Sequence, residues 1–190
     1  MRNKKASIIQ IGIDIDTAVI ERWKPKRNSI CELINDDAIS ALQTLALDDD
    51  TVIYADPPYL PMTRRRLKVY KHDYSESDHA IFLDYIRSTP CKIIISGYYS
   101  DLYSNMLKGW NVHKFKSKTH TELREEYIWY NFEKPTRLHD YSYVGVNFRE
   151  REKIKRKRER IITKLKSMSL IEVNALMAQL KEEFIPSTEC

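Results

Sequence analysis

The chain has 190 residues, 42% of them hydrophobic and 31% charged, which suits one globular domain with a small appendage and excludes a disordered or collagen-like polypeptide. No apolar stretch nears the roughly 18 to 20 residues of a bilayer span, and the N-terminus MRNKKASIIQ lacks a signal-peptide pattern. A cytoplasmic protein with no membrane partner is the expectation. Lys plus Arg total 32 against 27 Asp plus Glu, a net charge of +5, yet residues 147–166 alone carry ten basic and three acidic side chains. The rest of the chain is slightly acidic.

Six short apolar or β-branched runs read as strands: IIQIGID (8–14), ICELI (30–34), TVIYA (51–55), KIIIS (92–96), NVHKF (111–115) and EYIWYNF (126–132). Segments of helical spacing separate the first five. They are TAVIERW after Asp16, DAISALQTL, SESDHAIFLDYIRS with Ser75 and Asp78 as a cap-like start, and SDLYSNMLKGW. This alternation predicts an α/β fold with a mostly parallel sheet, whose ligands sit beyond the carboxyl ends of the strands. The last two runs are joined by the polar stretch KSKTHTELRE without helical period, which predicts a C-terminal antiparallel hairpin. Residues 1–140 form the expected core and 141–190 a helical extension. Within that extension, two helices are expected over 147–184, parted near Ser167 to Ser169, the first basic and the second amphipathic through Leu170, Ile171, Leu176 and Leu180.

Cys31, Cys91 and Cys190 are odd in number and show no CxxC spacing, so reduced thiols are expected. The five histidines are scattered, without an HxxxH or HExxH pair, and no metal is assigned. The basic block containing Lys155, Arg156, Lys157 and Arg158 suits a polyanion such as DNA, where phosphate neutralisation releases counterions. The same composition also suits a solvated helix whose long stems cover apolar surface.

The sharpest signal is Val52-Ile53-Tyr54-Ala55-Asp56-Pro57-Pro58-Tyr59, an apolar strand running straight into a carboxylate, two prolines and an aromatic ring. Each proline fixes its own φ and restricts the residue before it, so Asp56 and Tyr59 leave the strand tip in a preset relation. The Pro-Pro pair also removes two N–H donors, which leaves a surface of acceptors. An exocyclic amino group on a flat ring supplies the matching pair of donors, one for Asp56 and one for a carbonyl such as that of Pro57, while Tyr59 can stack on the ring face.

With this motif the chain resembles the Dam-like family of DNA N6-adenine methyltransferases, which includes many phage and prophage members and carries DPPY as its catalytic motif. The resemblance spans roughly residues 8–160. It implies a Rossmann-like fold, S-adenosylmethionine as cofactor, DNA as partner, and Asp56, Pro57, Pro58 and Tyr59 as the catalytic loop, with Asp56 also at the cofactor. By position, Gly12-Ile13-Asp14-Ile15-Asp16 is similar to the end of the family's second strand, which implies that Asp14 binds the cofactor's ribose and that Asp16 caps the next helix. Asp36-Asp37-Ala38-Ile39 falls where the family has Gly-Asp-Ala-Leu, so Asp37 would hold the cofactor's adenine. Ser96, Gly97 and Tyr98 match the strand end that lines the base pocket, and Glu126 with Trp129 matches a Thr-Glu-x-x-Trp strand in which Glu125 replaces the threonine. Tyr98 and Trp129 also read as packing residues. Arg64, Arg65 and Arg66 fit either phosphate contacts or a solvated loop.

One departure is plain. The family begins with a strand and a glycine-containing loop around the cofactor's methionine part, whereas the four glycines here, Gly12, Gly97, Gly109 and Gly145, are dispersed. The resemblance puts that strand between the family's second and fourth, so a gap in the sheet, or a strand supplied by a partner segment, is expected. Three functional readings follow: an adenine methyltransferase, an enzyme acting on another amino group (cytosine, an RNA base or glutamine), or an inactive DNA-binding remnant.

Overall fold

A computed structural model describes residues 7–27, 29–64, 71–118, 123–138 and 140–184. Arg65 and Arg66 lie outside the described residues, as does Cys190. The chain divides into two compact units, one over Ala6–Thr136 and one that includes Arg137–Cys190.

In the first unit β1 (Gln10–Ile13) leads through α1 (Thr17–Trp23) to β2 (Cys31–Ile34), which lies parallel to it with Gln10 opposite Cys31 and Ile13 opposite Ile34. Asp16 caps α1, its carboxylate accepting from the Ala18 N–H at 2.9 Å, as its place before TAVIERW predicts. After β2 comes α2 (Ala38–Gln43), then β3 (Val52–Ala55), α3 (Glu76–Arg87) and β4 (Lys92–Gly97), with β3 and β4 parallel. Helix α3 opens on a capping box in which Ser75 and Asp78 satisfy each other's backbone N–H groups. The chain continues through α4 (Asp101–Met106) into β5 (Asn111–Lys118) and β6 (Leu123–Tyr130).

The hairpin is antiparallel, and its second strand, β6, is the one that pairs with β4, giving the order β3-β4-β6-β5. β5 runs three residues past its apolar run, and β6 starts three residues before its own and stops two residues short of its end, at Tyr130. Most of the added residues are polar, and the register sets Lys116 opposite Glu125, where opposite charges across a ladder support pairing without burial. The overall architecture is α/β with parallel and antiparallel pairs. Among the described residues the strands form two sheets, β1-β2 and β3-β4-β6-β5, rather than one.

The core lies against the four-stranded sheet. Phe82, Leu83 and Ile86 of α3 meet Ile93 and Ile95 of β4, with Tyr103, Leu107, Tyr127 and Trp129 completing the cluster. The spacing of 82, 83 and 86 gives one helix face, and 93 and 95 share one face of the strand. Asn131 ties the sheet's start: its side-chain carbonyl accepts from the Ile93 N–H at 2.7 Å, and its amide donates to the Cys91 carbonyl at 2.9 Å. Cys31 and Cys91 are both buried free thiols.

The second unit holds a 3-10 turn at Tyr141–Tyr143, then α5 (Phe148–Lys166) and α6 (Leu170–Phe184). Asn147 caps α5 through the Glu150 N–H at 2.9 Å. Gly145 precedes it at φ +124°, where an added Cβ would come within 2.9 Å of the Arg151 nitrogen; a side chain there is excluded both by conformation and by space. Among the described residues, no helix is long and apolar enough to cross a membrane.

Candidate functional site

Three acids stand at strand ends. Asp14 follows β1 and Asp37 lies three residues past its parallel partner β2, while Asp56 follows β3 of the other sheet; carboxyl ends of parallel strands are where α/β sheets place ligands. Each acid has local work. Asp14 accepts from the Asp16 N–H at 2.8 Å. Asp37 is the N-cap of α2, with Oδ1 accepting from the Ile39 and Ser40 N–H groups at 3.0 and 3.1 Å. A carboxylate offers about four lone-pair sites, so neither bond exhausts its acid.

Asp56 is exposed. Its Oδ1 accepts from the Ser96 hydroxyl at 3.0 Å, and among the described residues no cation pairs with it. Ser96 is itself buried at the end of β4, and its oxygen lies 3.1 Å from the Tyr54 hydroxyl and 3.4 Å from the Ala55 carbonyl. The chain Tyr54, Ser96, Asp56 therefore orients one carboxylate oxygen from beneath. Tyr54 and Ser96 are site residues that sequence reading passed over in this role. Their signals were present: Tyr54 is two residues before Asp56 and so shares its strand face, and Ser96 is the polar residue ending an all-isoleucine run.

Tyr59 is half-buried and meets Tyr98 edge to face, with ring centroids 4.4 Å apart. The Arg124 guanidinium sits over the Tyr98 ring at 4.9 Å. Arg64 donates from Nε to the Tyr59 carbonyl and pairs with Asp73 at 2.8 Å, its side chain only 5% exposed. Its fork is thus committed to holding the loop after the prolines, which takes it away from the phosphate contact that three successive arginines suggest. Beside Tyr98 opens a cavity of about 630 Å³ lined by Met62, Thr63, Asp101, Arg124 and Glu125 among others. Asp56 and Tyr59 do not line it; Tyr98 connects it to them. Trp129 is packed in the core against Tyr103 and Tyr127, leaving pocket lining to Tyr98.

Under this site His79 is fully buried, with Nδ1 2.9 Å from the Tyr103 hydroxyl. Burial first, and then the Arg64 charge, hold its pKa down at about 4, so the ring is neutral at physiological pH. Burial raises Tyr103 above the usual phenol range.

In the second unit Lys155, Arg156, Lys157 and Arg158 are all exposed on α5. Lys155 and Arg158, with Arg151 and Lys166, line a cleft of about 980 Å³ that also contains Ile161 and Ile162, whereas Arg156 and Lys157 do not line it. Among the described residues no group of three or more His, Cys, Asp or Glu comes together as a metal site.

Compared with protein-family models and with curated proteins, the chain matches none.

Proposed function

We propose that residues 7–136 are the core of an S-adenosylmethionine-dependent methyltransferase acting on the exocyclic amino group of adenine in DNA, with the basic helix α5 contacting the polyanion. The observation that carries this reading is the Asp56 carboxylate, exposed and oriented through Ser96, at the head of a proline-stiffened turn that presents Tyr59. Its acceptors suit an amino group on a planar heterocycle. The donor chemistry of the cofactor fits two of the acids. Asp14 would accept from ribose hydroxyls and Asp37 from the adenine amino group, each with lone pairs left after its capping bond. Gly12 sits within β1 and Gly97 within β4, so neither belongs to a loop that could wrap the methionine arm.

When bound, the cofactor supplies an electrophilic methyl group on a sulfonium centre. The chain's residues do the positioning. The Asp56 carboxylate and the Pro57 carbonyl accept the two amino hydrogens, which turns the nitrogen lone pair out of conjugation with the ring. Tyr59 stacks on the base, which must leave the duplex to reach it. Asp56 then takes up the proton released from the nitrogen after transfer. Preorganised acceptors held through Ser96 stabilise the developing positive charge on that nitrogen.

Calorimetry with S-adenosylmethionine, followed by tritiated-methyl transfer to adenine-containing DNA, tests the proposal. Saturable binding with transfer that Asp56→Ala abolishes supports it. One rival, a non-catalytic DNA-binding chain, predicts DNA binding with neither cofactor heat nor transfer. Transfer to cytosine or RNA in place of adenine would keep the enzyme class and refute the acceptor.

A further inference from the structure

The sheet β3-β4-β6-β5 has one covered face and one bare face. Side chains alternate across a strand, so the register sorts them. Ile93 and Ile95 of β4 and Tyr127 and Trp129 of β6 belong to the core, with Ile53 and Ala55 of β3 packed against it. The residues between them turn to the opposite face: Tyr54 on β3, Ile94 and Ser96 on β4, and Ile128 and Tyr130 on β6. His113 and Phe115 of β5 join them, being opposite Ile128 and Glu126. Of this set only Ser96 is buried, whereas Tyr54 is 64% exposed and His113 and Phe115 are exposed as well.

Rings dominate the bare face. Phe132 stands beside Tyr130 with centroids 5.5 Å apart. His113 and Phe115 lie within 14° of parallel at 6.4 Å between centroids, about twice the roughly 3.4 Å rise of stacked bases, so their faces are not in contact with each other. Polar groups interrupt the rings. Asp56, held by Ser96 at 3.0 Å, closes one end of β3's row, and Glu126 lies between Ile128 and Arg124 on β6. Cations stand at opposite ends, Arg124 over the Tyr98 ring and Lys92 opposite Val52. With Asp56 and Glu126 against Arg124 and Lys92, the face is close to charge-balanced.

We propose that this bare face is a stacking platform for single-stranded DNA, on which bases lie against Tyr54, Tyr130, His113 and Phe115 with little regard to sequence. An amphipathic helix laid there would press Asp56 and Glu126 against hydrocarbon, which is costly. A nucleobase suits both kinds of group, because its ring stacks on aromatic faces while its edge carries donors and acceptors. Bases within a duplex are already stacked on one another, so the strand that fits is single. Charge balance makes stacking, rather than phosphate neutralisation, the main attraction on this face. The platform is continuous with the candidate site, since Asp56 and Ser96 share the face with Tyr54. The choice of DNA as the polymer rests on the proposed function, whereas the platform itself rests on the sheet.

Fluorescence anisotropy of the full chain with a dye-labelled single strand of about twelve nucleotides of mixed sequence tests it. Phe115→Leu and Tyr130→Leu should each weaken binding about tenfold, and together about a hundredfold, with native circular dichroism spectra. The logarithmic salt dependence should stay as it was, because rings are lost and phosphate contacts are not. Phe115→Tyr and Tyr130→Phe keep a ring and should bind within about twofold of the native chain. If Tyr130→Leu loses the native spectrum, Phe115→Leu with His113→Leu, both at exposed positions, takes its place. Unchanged affinity in the double variant overturns the proposal, as does an equal loss in the ring-keeping variants or an equal loss with the same sequence as a duplex. Self-association of the native chain that the Leu changes abolish also overturns it, by assigning the face to a second copy. Ring-dependent binding without methyl transfer would remove the proposed function while supporting this inference.

Discussion

Acid should weaken this fold through His79, and the size of the effect can be worked from its surroundings. The ring is fully buried on α3, hydrogen-bonded at Nδ1 to Tyr103, and its Nε2 has no partner among the described residues. Burial and the Arg64 charge depress its pKa, the charges of Asp78 and Asp73 oppose them, and the result is a value of about 4 against 6.5 ordinarily. An unfolded chain therefore takes up this proton as the pH falls through 6.5, and the folded chain only near 4. The stability contributed by the neutral ring is complete above about 6.5 and is lost progressively as the pH falls toward 4; at about 1.36 kcal/mol per pH unit it amounts to about 3 kcal/mol. Urea unfolding followed by circular dichroism between pH 4 and 8 measures it, with His79→Asn as the comparison because the amide keeps a partner for Tyr103 and does not titrate. The native chain should lose about 3 kcal/mol more than the variant between pH 7 and 4. Parallel curves for the two chains, or an NMR titration placing His79 near 6.5, would refute the reasoning.

Other outcomes follow from the site. Ser96→Ala removes the hydrogen bond that orients Asp56; on the methyltransferase reading kcat should fall about tenfold, the worth of about 1.4 kcal/mol, with KM for the cofactor unchanged, and a shift in KM alone would reassign Ser96. Arg64→Ala removes the bond to the Tyr59 carbonyl and the pair with Asp73 and should cost about 1 to 2 kcal/mol in urea unfolding, while leaving the salt dependence of DNA binding as it was; a shallower dependence would return Arg64 to the phosphate backbone. Changing Lys155, Arg156, Lys157 and Arg158 together to Ala should weaken DNA binding and flatten its logarithmic salt dependence by up to about 3.6, four contacts at about 0.9 each. An unchanged slope would make α5 a solvated helix.

Where local chemistry decides the outcome, the sequence could be read directly. TAVIERW, with an aspartate ahead of it, becomes α1 over the same residues, and the break at Ser167 to Ser169 parts α5 from α6. The acids Asp14, Asp37 and Asp56 fall at strand ends because apolar runs stop there. Long-range pairing was harder to see. The hairpin's polar extension depends on partners such as Lys116 and Glu125 meeting across strands, which hydropathy does not reveal. Arg64 read as an exposed cation because its neighbours are arginines, whereas its partner Asp73 comes near only through the fold. The bond from Ser96 to Asp56 likewise crosses between parallel strands separated by a whole helix.

The insertion of β6 between β4 and β5 imposes a schedule on synthesis. β5 reaches the rest of its sheet only by way of β6, so a nascent chain released before residue 130 has two unmatched ladders at once, one on β4 and one on β5. Val112 and Phe115 remain substantially exposed even when the sheet is complete. A stalled ribosome or a truncating mutation in this interval would therefore yield a fragment prone to self-association rather than a shortened version of the working molecule.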